Sequence, residues 1–366
     1  MDSRERLLCV INNDTPDRLP CQVHSWMDYY LKTFLGGIDQ YAAYDFFKGM
    51  DQVIYENPLF SYADTDLGRF SISRSDEYRD DQGTNHWRET IATPDGQLTC
   101  AYAKSEITTY DTEHIIKTET DFEIWKNNIP LPQTIDWSPI YHAKNRIKNK
   151  GIVRGGFFGF GQGSPWQDFC ILYGTEPAIM ATFDKPDWVH YVLGELLKKK
   201  LAMIERAGTI PLDLVETGGG AGSSTVISPD MYAAYCLPYD QKVHAALHAA
   251  GTKAVYHLCG GIMPLLDLVQ QNDADGLETM TPPTMGGDCD LAEAYRRINR
   301  KLFLIGGFDQ NRGFENGTPT AAAQQVKECH TACSHGGYIC SPSDHFFQGD
   351  PQNIQAFVDE AVRCRY

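Results

Sequence analysis

The chain has no run of about eighteen or more apolar residues, so no part of it reads as a membrane-spanning helix. Its opening, MDSRERLLCVINNDTPDRLP, carries charges where a secretory signal needs an apolar segment, and a cytoplasmic location is the expectation. Positive charge is scarce: 32 Lys and Arg face 48 Asp and Glu, for a net charge of -16. Nucleic acid and anionic membrane surfaces would be repelled at long range, so neither is expected as a partner. The eleven cysteines are odd in number and scattered from Cys9 to Cys364, without the tight spacing of a disulfide framework. They read as reduced thiols, most of them small core residues. Low-complexity tracts and internal repeats are absent as well, which excludes solenoids and disordered tails.

What is present is ample material for a core: 366 residues, 42% hydrophobic and 22% charged. Short β-rich runs ending in Gly, Pro or polar residues alternate with helical stretches. The runs are 20–24 (PCQVH), 151–160 (GIVRGGFFGF), 212–218 (LDLVETG), 254–260 (AVYHLCG), 276–281 (GLETMT), 302–309 (LFLIGGFD) and 338–342 (YICSP), with an eighth at 52–56 (QVIYE). Helices are expected over 187–207, 230–250, 262–271, 290–300 and 319–335. Such alternation predicts an α/β fold with a parallel sheet and right-handed crossovers, and eight strands favour a closed (β/α)8 TIM barrel. Residues 58–135, rich in Asp, Thr, Tyr and Arg, break the rhythm. They read as an antiparallel β insertion after the second strand, within a single domain spanning 1–366. The insertion is placed to cover the barrel mouth or to form an oligomer contact.

In such a barrel, chemistry sits at the C-terminal strand ends. Those ends hold His24 and Trp26, Glu216 before a glycine-rich turn, His257 and Cys259, Glu278, Asp309, and the cluster Cys340, Asp344 and His345. Side-chain direction repeats every two residues along a strand, so His257 and Cys259 can face one ion. An imidazole with a thiolate suits zinc. Taken alone, the short H-x-C motif reads more readily as a core histidine beside a buried cysteine; the strand-end position followed by Gly260 and Gly261 shifts the balance toward a site. Gly218-Gly219-Gly220 lacks the Lys-Ser/Thr of a phosphate loop and reads as a turn or as room for a ligand. His244 and His248, four apart on one helix, read as residues of a solvated face.

The blocks RERLLCVINNDTPDRLP, ISPDMYAAYCLPY, VYHLCGG, GLETMTPPTMGGDCDLAEAYRRINRKLFLIGGFD and GGYICSPSDHFFQGDPQNIQAFVDEA resemble the uroporphyrinogen decarboxylase superfamily. The likeness is to its branch of cobalamin-dependent methyltransferases with an H-x-C zinc motif, and it covers nearly the whole chain outside 58–135. The resemblance implies a (β/α)8 barrel whose Zn2+ is held by His257, Cys259 and one more ligand after the last strand. Where the family usually has Pro-Gly-Cys, this chain has Ser343-Asp344-His345. By position His345 is the leading third ligand, with Cys340 and Asp344 as the alternatives.

The resemblance further implies one-carbon metabolism: a methyl group moves between a small-molecule donor (a methoxy, methylamine or methylthio compound) and the cobalt of a corrinoid (cobalamin) carried by a partner protein, as in O-demethylation. Glu278 and Asp309 would orient substrate or act as general acid. Trp26, His24 and Phe346 would line the substrate pocket. The expected partners are the corrinoid protein, the small-molecule methyl donor or acceptor, and a second copy in a homodimer. Transfer from the methylated corrinoid to a thiol or to tetrahydrofolate is the nearest alternative. Decarboxylation of a porphyrinogen is another, although VHSWMDYYLKTFLGG offers no Arg for a substrate rich in carboxylates. A non-catalytic corrinoid-binding barrel is the last.

Overall fold

A strand turns successive side chains to opposite faces, so residues two apart along each barrel strand share the inward face, where an apolar plug lies below and charged residues above. The computed structural model describes residues 1–298 and 300–366. Among them, β1 (Gln52–Tyr55), β2 (Gly151–Gly155), β3 (Leu214–Gly218), β4 (Ala254–His257), β5 (Gly276–Thr279), β6 (Phe303–Phe308) and β7 (Tyr338–Pro342) hydrogen-bond in that order as one parallel sheet. Residues 20–22 close the ring. Cys21 bridges Cys340 in parallel, with Gln22 N donating to Cys340 O at 3.0 Å, while Asp51 N donates to Cys21 O at 2.9 Å on the other side. The expected first strand is therefore present as a short eighth stave, and the fold is a TIM-type barrel.

Val53, Ile152, Leu214, Val255, Phe303, Ile305 and Ile339 pack together inside the lower half. The N-terminal helix Ser3–Ile11 caps that end with Leu7, Val10 and Ile11, and its own start is fixed by an Asp2/Glu5 capping box. Gly276 is required here: a Cβ on it would stand 2.3 Å from the Phe303 ring, which fills the space instead. Two residues further along the strands, the same inward register delivers Tyr55, Arg154, Glu216, His257 and Glu278.

The insertion after β1 is a four-stranded antiparallel sheet, Ser71–Arg79, Asn85–Thr93, Gly96–Lys104 and Thr109–Glu113, with Leu59–Ser61 paired to Thr134–Asp136 at its base. Its buried Ile91, Leu98 and Cys100 belong to the same apolar cluster as, or lie beside, Phe122 and Trp125 of the helix Glu119–Asn128.

Several elements differ from the sequence expectation for local reasons. The run 151–160 is a strand only to Gly155, where its pairing with Val215 ends and the next amide, Gly156 N, donates to Asn57 Oδ1 instead of a strand carbonyl. The helix expected over 230–250 contains a π turn, Tyr232–Cys236, before Leu237–Ala249, since Pro238 has no N–H to continue the regular ladder. The stretch 262–271 is shortened to Met263–Leu265 and Leu266–Val269. The helix expected over 290–300 runs Leu291–Ile298, and its Asn299 lies outside the described residues. No described helix is long and apolar enough to cross a membrane.

His244 is a further correction. It is fully buried rather than solvated, with Nδ1–H donating to Asn272 O at 2.6 Å and Nε2 accepting from Thr217 Oγ1 at 2.8 Å. Asp240, one turn earlier on the same core-facing stripe, accepts from Tyr256 Oη at 2.7 Å and Ser164 Oγ at 2.8 Å. Burial raises the Asp240 carboxyl from 3.8 to about 7. The sign follows directly: between these values the folded chain holds a proton that the unfolded chain has released, so stability falls as pH rises through this window. The same burial lowers His244 to about 4, which acts in the opposite sense and is common to wild type and an Asp240 variant. Asp240→Asn should therefore gain on wild type, by on the order of 4 kcal/mol, as pH is raised from about 4 to about 7. Urea unfolding of both proteins across that range measures it, and a pH-independent difference would refute the assignment.

Candidate metal centre at the barrel rim

Arg154 sits in the middle of β2 with no solvent exposure, and a guanidinium there must find anions. It finds two. Its Nη1 and Nη2 donate to Glu278 Oε2 and Oε1 at 2.9 and 2.6 Å, a bidentate pair, and Nη2 also reaches Glu216 Oε2. Although burial opposes charge at both ends, the attraction prevails: Arg154 is raised above the usual guanidinium range and Glu278 is held well below the usual carboxylate range. Tyr55 lies against the same guanidinium, 5.8 Å from ring centroid to Cζ.

Glu278 Oε1 accepts a second bond, from His257 Nδ1–H at 3.0 Å. That bond fixes the tautomer and leaves Nε2 as the free nitrogen, the arrangement found where a histidine ligates a metal and a carboxylate orients it from behind. Burial works against charge on His257, but the Cys259 sulfur, Glu278 and Glu216 outweigh it and hold the imidazole well above its ordinary value. A field that favours a proton at this ring favours any cation at the same place.

His257, Cys259 and Asp344 each offer a ligand atom, all within 4.8 Å of one another, and both Cys259 and Asp344 are partly exposed at the mouth. His24, Glu216, His257 and Glu278 form a second such group. The second group already surrounds Arg154, whose guanidinium occupies both Glu278 oxygens, so it is an ion-pair cluster with its cation in place. The first group has imidazole, thiol and carboxylate donors and no cation of its own. That donor set fits a zinc-type ion.

The register of β4 brings His257 and Cys259 together although the strand ends at His257. The glycine-rich turn after β3 makes room for the sulfur: a Cβ on Gly220 would lie 2.7 Å from Cys259 Sγ. The turn is thus close packing around the Cys259 sulfur. It is held by the helix Pro165–Tyr173, where Trp166 Nε1 donates to Ala221 O at 2.8 Å and Gln167 Oε1 accepts from Ala221 N at 2.9 Å.

The other expected site residues separate. His24 is in the cluster, its ring 5.2 Å from that of His257, and burial keeps it well below the ordinary imidazole value. His345 lies 4.8 Å from His24 ring to ring, with Nδ1 bonded to Ser25 Oγ at 3.0 Å. Asp344, rather than His345, is the residue grouped with His257 and Cys259.

Cys340 alternates with the inward Ile339 and so faces outward. It meets Cys329 of the helix Pro319–Ala332, where burial pushes its thiol well above the ordinary value. Asp309 is engaged locally, accepting from Thr284 Oγ1 at 2.6 Å and from Arg312 N at 2.9 Å. Phe346 is 1% exposed and packs edge-on against Trp26, Tyr30 and Phe314, so it supports the mouth from below. Trp26 stacks on Phe47 and lines an open cavity of about 650 Å³ that also reaches Tyr55, Asp28, Lys32 and Asp39. On the other side of Tyr55 a cavity of about 260 Å³ runs along Gly156–Gln162 to Glu216. Arg154 is the central residue of this layer that the reading of strand ends does not single out. A lone Arg between Val153 and Gly155 in an otherwise apolar strand was the available signal.

Fold and site together define a TIM-type barrel with a His–Cys–carboxylate cluster at its C-terminal rim. The chain belongs to the uroporphyrinogen decarboxylase (URO-D) family, which it matches over residues 101–364. Uroporphyrinogen decarboxylase of Neisseria gonorrhoeae (strain NCCP11945) is 25% identical over 264 residues, 67% of this chain and 68% of that one. The same enzyme from Neisseria meningitidis serogroup C (strain ATCC 700532) is 24% identical over 255 residues, 65% of this chain and 66% of that one, so the match spans about two thirds of these relatives. Among solved structures, a methyltransferase from Methanosarcina mazei superposes with a TM-score of 0.66 at 15% identity, covering 99% of both chains, and shares the fold.

Removing the central cation tests the electrostatics directly. Arg154→Met should cost about 3–5 kcal/mol of unfolding free energy, because Glu278 and Glu216 would be left buried and uncompensated. Denaturant titration measures this, and a loss below about 1 kcal/mol would show that the layer does not depend on the guanidinium.

Proposed function

We propose that the chain is a zinc-dependent methyltransferase of a corrinoid methyl-transfer system, which takes a methyl group from a small-molecule donor to the cobalt of a partner corrinoid protein. The observation that carries this reading is the convergence of His257, Cys259 and Asp344 at the open rim, with Glu278 orienting His257 from behind. Zinc held there would act as a Lewis acid on the donor's heteroatom.

The chain's own residues supply the rest. Arg154 pins Glu278, and Glu278 holds the proton on His257 Nδ1, so that Nε2 stays aimed at the ligand position. With Asp344 where a second thiolate would stand, the formal charge of the ligand set is the same, but a carboxylate is a harder ligand that donates less electron density than a thiolate, which would leave a bound cation the stronger Lewis acid toward a leaving oxygen or nitrogen. His24, kept uncharged by burial, forms a neutral wall beside the reacting group. The cavities that share Tyr55 give a small donor room at the mouth, and the smaller of them reaches Glu216 of the charged layer.

The activity in the family's name is less well served. A porphyrinogen with many carboxylates needs free arginines. Here Arg154 is fully buried and already bound by two glutamates, and the larger mouth cavity carries Asp28 and Asp39 against Lys32.

Zinc analysis of purified protein should find about one ion per chain. His257→Ala, Cys259→Ala and Asp344→Ala should lose it, whereas Cys340→Ala and Asp309→Ala should retain it. Glu278→Gln should weaken zinc binding by about 10–100-fold through misorientation of His257. The zinc-loaded protein should alkylate a reduced corrinoid protein from a panel of methyl ethers, methylamines and thioethers, followed by the change in the cobalt absorption spectrum. Absence of transfer in this direction and in the reverse direction, with thiols and tetrahydrofolate as acceptors, would refute the proposal.

A further inference from the structure

The segment 155–164, GGFFGFGQGS, walls the cavity beside Glu216; Phe157 and Phe158 anchor its first half in the core, but half of the segment is glycine and the path of 160–162 depends on polar contacts. Two fully buried charged residues outside the rim hold it. Asp168, on the helix Pro165–Tyr173, accepts from Gln162 N at 2.8 Å, and its carboxylate fills the space above Gly161, where a Cβ would stand 1.8 Å from Oδ1. Lys200, on the long helix Pro186–Ala207, lies 2.7 Å from Asp168 Oδ2. Lys200 also donates to the Phe160 carbonyl and stands 3.6 Å from the centroid of the Phe160 ring. Both side chains have no solvent exposure.

A buried ion pair of this kind is weak evidence for stability, because an apolar pair of similar volume generally serves as well or better. What an apolar pair could not supply is the set of polar contacts to the loop: an acceptor for the Gln162 amide and a cation for the Phe160 carbonyl and ring. Both contacts fall on residues that face the cavity.

We infer that Asp168 and Lys200 are positioning residues that set the wall of the donor pocket, and with it the enzyme's grip on its small-molecule substrate. The inference rests on the methyl-transfer reading for the identity of that substrate. Neither residue reaches the cluster of His257, Cys259 and Asp344. The pair should therefore govern donor affinity and leave metal binding alone.

The test is the double variant Asp168→Leu/Lys200→Met, which keeps volume and removes both charges together. It should remain folded with wild-type zinc content. Its KM for the methyl donor active with the wild type should rise about tenfold or more while kcat changes by less than about threefold, a split that a purely structural defect would not give. Amide hydrogen exchange at 156–163 should quicken.

Gly161→Ala provides the second route, should the double variant fail to fold. It leaves both charges in place but drives a methyl group into the Asp168 carboxylate at a backbone φ of +60°, and the same KM effect is expected. Folded variants with unchanged KM and unchanged exchange would overturn the inference. If the wild type transfers no methyl group from any donor, the functional reading fails by itself. The loop assignment is then decided by exchange alone, faster at 156–163 supporting it and unchanged exchange overturning it.

Discussion

One guanidinium organises the functional half of this barrel. Arg154 enters a layer that would otherwise contain only carboxylates and imidazoles, and by binding Glu278 with two bonds and Glu216 with a third it fixes the direction of the side chain that orients His257. Rigidity is the consequence. Three bonds on Glu278, two from Arg154 and one from His257, leave it no alternative rotamer of comparable energy, so the imidazole inherits a defined tautomer and aim. Glu278 and Glu216 already outnumber this one guanidinium, and Asp344 adds a third carboxylate toward the mouth, beside the thiol of Cys259. A divalent cation there would complete the charge balance that Arg154 begins.

That layer is affordable because the one beneath it is dry. Val53, Ile152, Leu214 and Val255 occupy the inward positions two residues before Tyr55, Arg154, Glu216 and His257, and the N-terminal helix seals them from below. Strand periodicity alone therefore places stability at one end of the barrel and chemistry at the other. Low dielectric below strengthens each ion pair above, and the same property makes any unpaired member costly.

Much of this arrangement was legible in the sequence. The alternation of short β runs and helices, the departure at 58–135 and the two-residue spacing of His257 and Cys259 all depend on local periodicity, which a sequence displays. The partners of those residues were less legible, for physical reasons that differ case by case. Asp344 joins the pair through the path of the loop after β7, which no spacing rule gives. Cys340 belonged to the same short segment, but strand parity sends it outward, and counting from Ile339 would have shown this. Phe346 carries the aromatic character expected of a pocket, yet three neighbouring rings enclose it. His244 was assigned to solvent on polarity, whereas its helix buries Asp240 and His244 together because Tyr256, Ser164, Thr217 and Asn272 satisfy them. Burial of a polar residue depends on a partner distant in sequence, and one sequence does not reveal the pairing.

The helix Pro165–Tyr173 shows how such distant pairings reach the rim cluster. Three successive residues act on two rim loops: Trp166 and Gln167 bind Ala221 in the turn that packs on Cys259, and Asp168 binds Gln162 in the loop that walls the smaller cavity. Consecutive helical residues diverge by about 100°, so neighbouring side chains are naturally directed at different loops while sharing one rigid backbone. Glycine-rich loops are needed at both places, because only a residue without a side chain lets Cys259 and the Asp168 carboxylate approach so closely. The conformational entropy lost in ordering those glycines is offset outside the barrel, by hydrogen bonds from a helix that contributes nothing to the reacting centre. The rim is therefore precise without being intrinsically stiff.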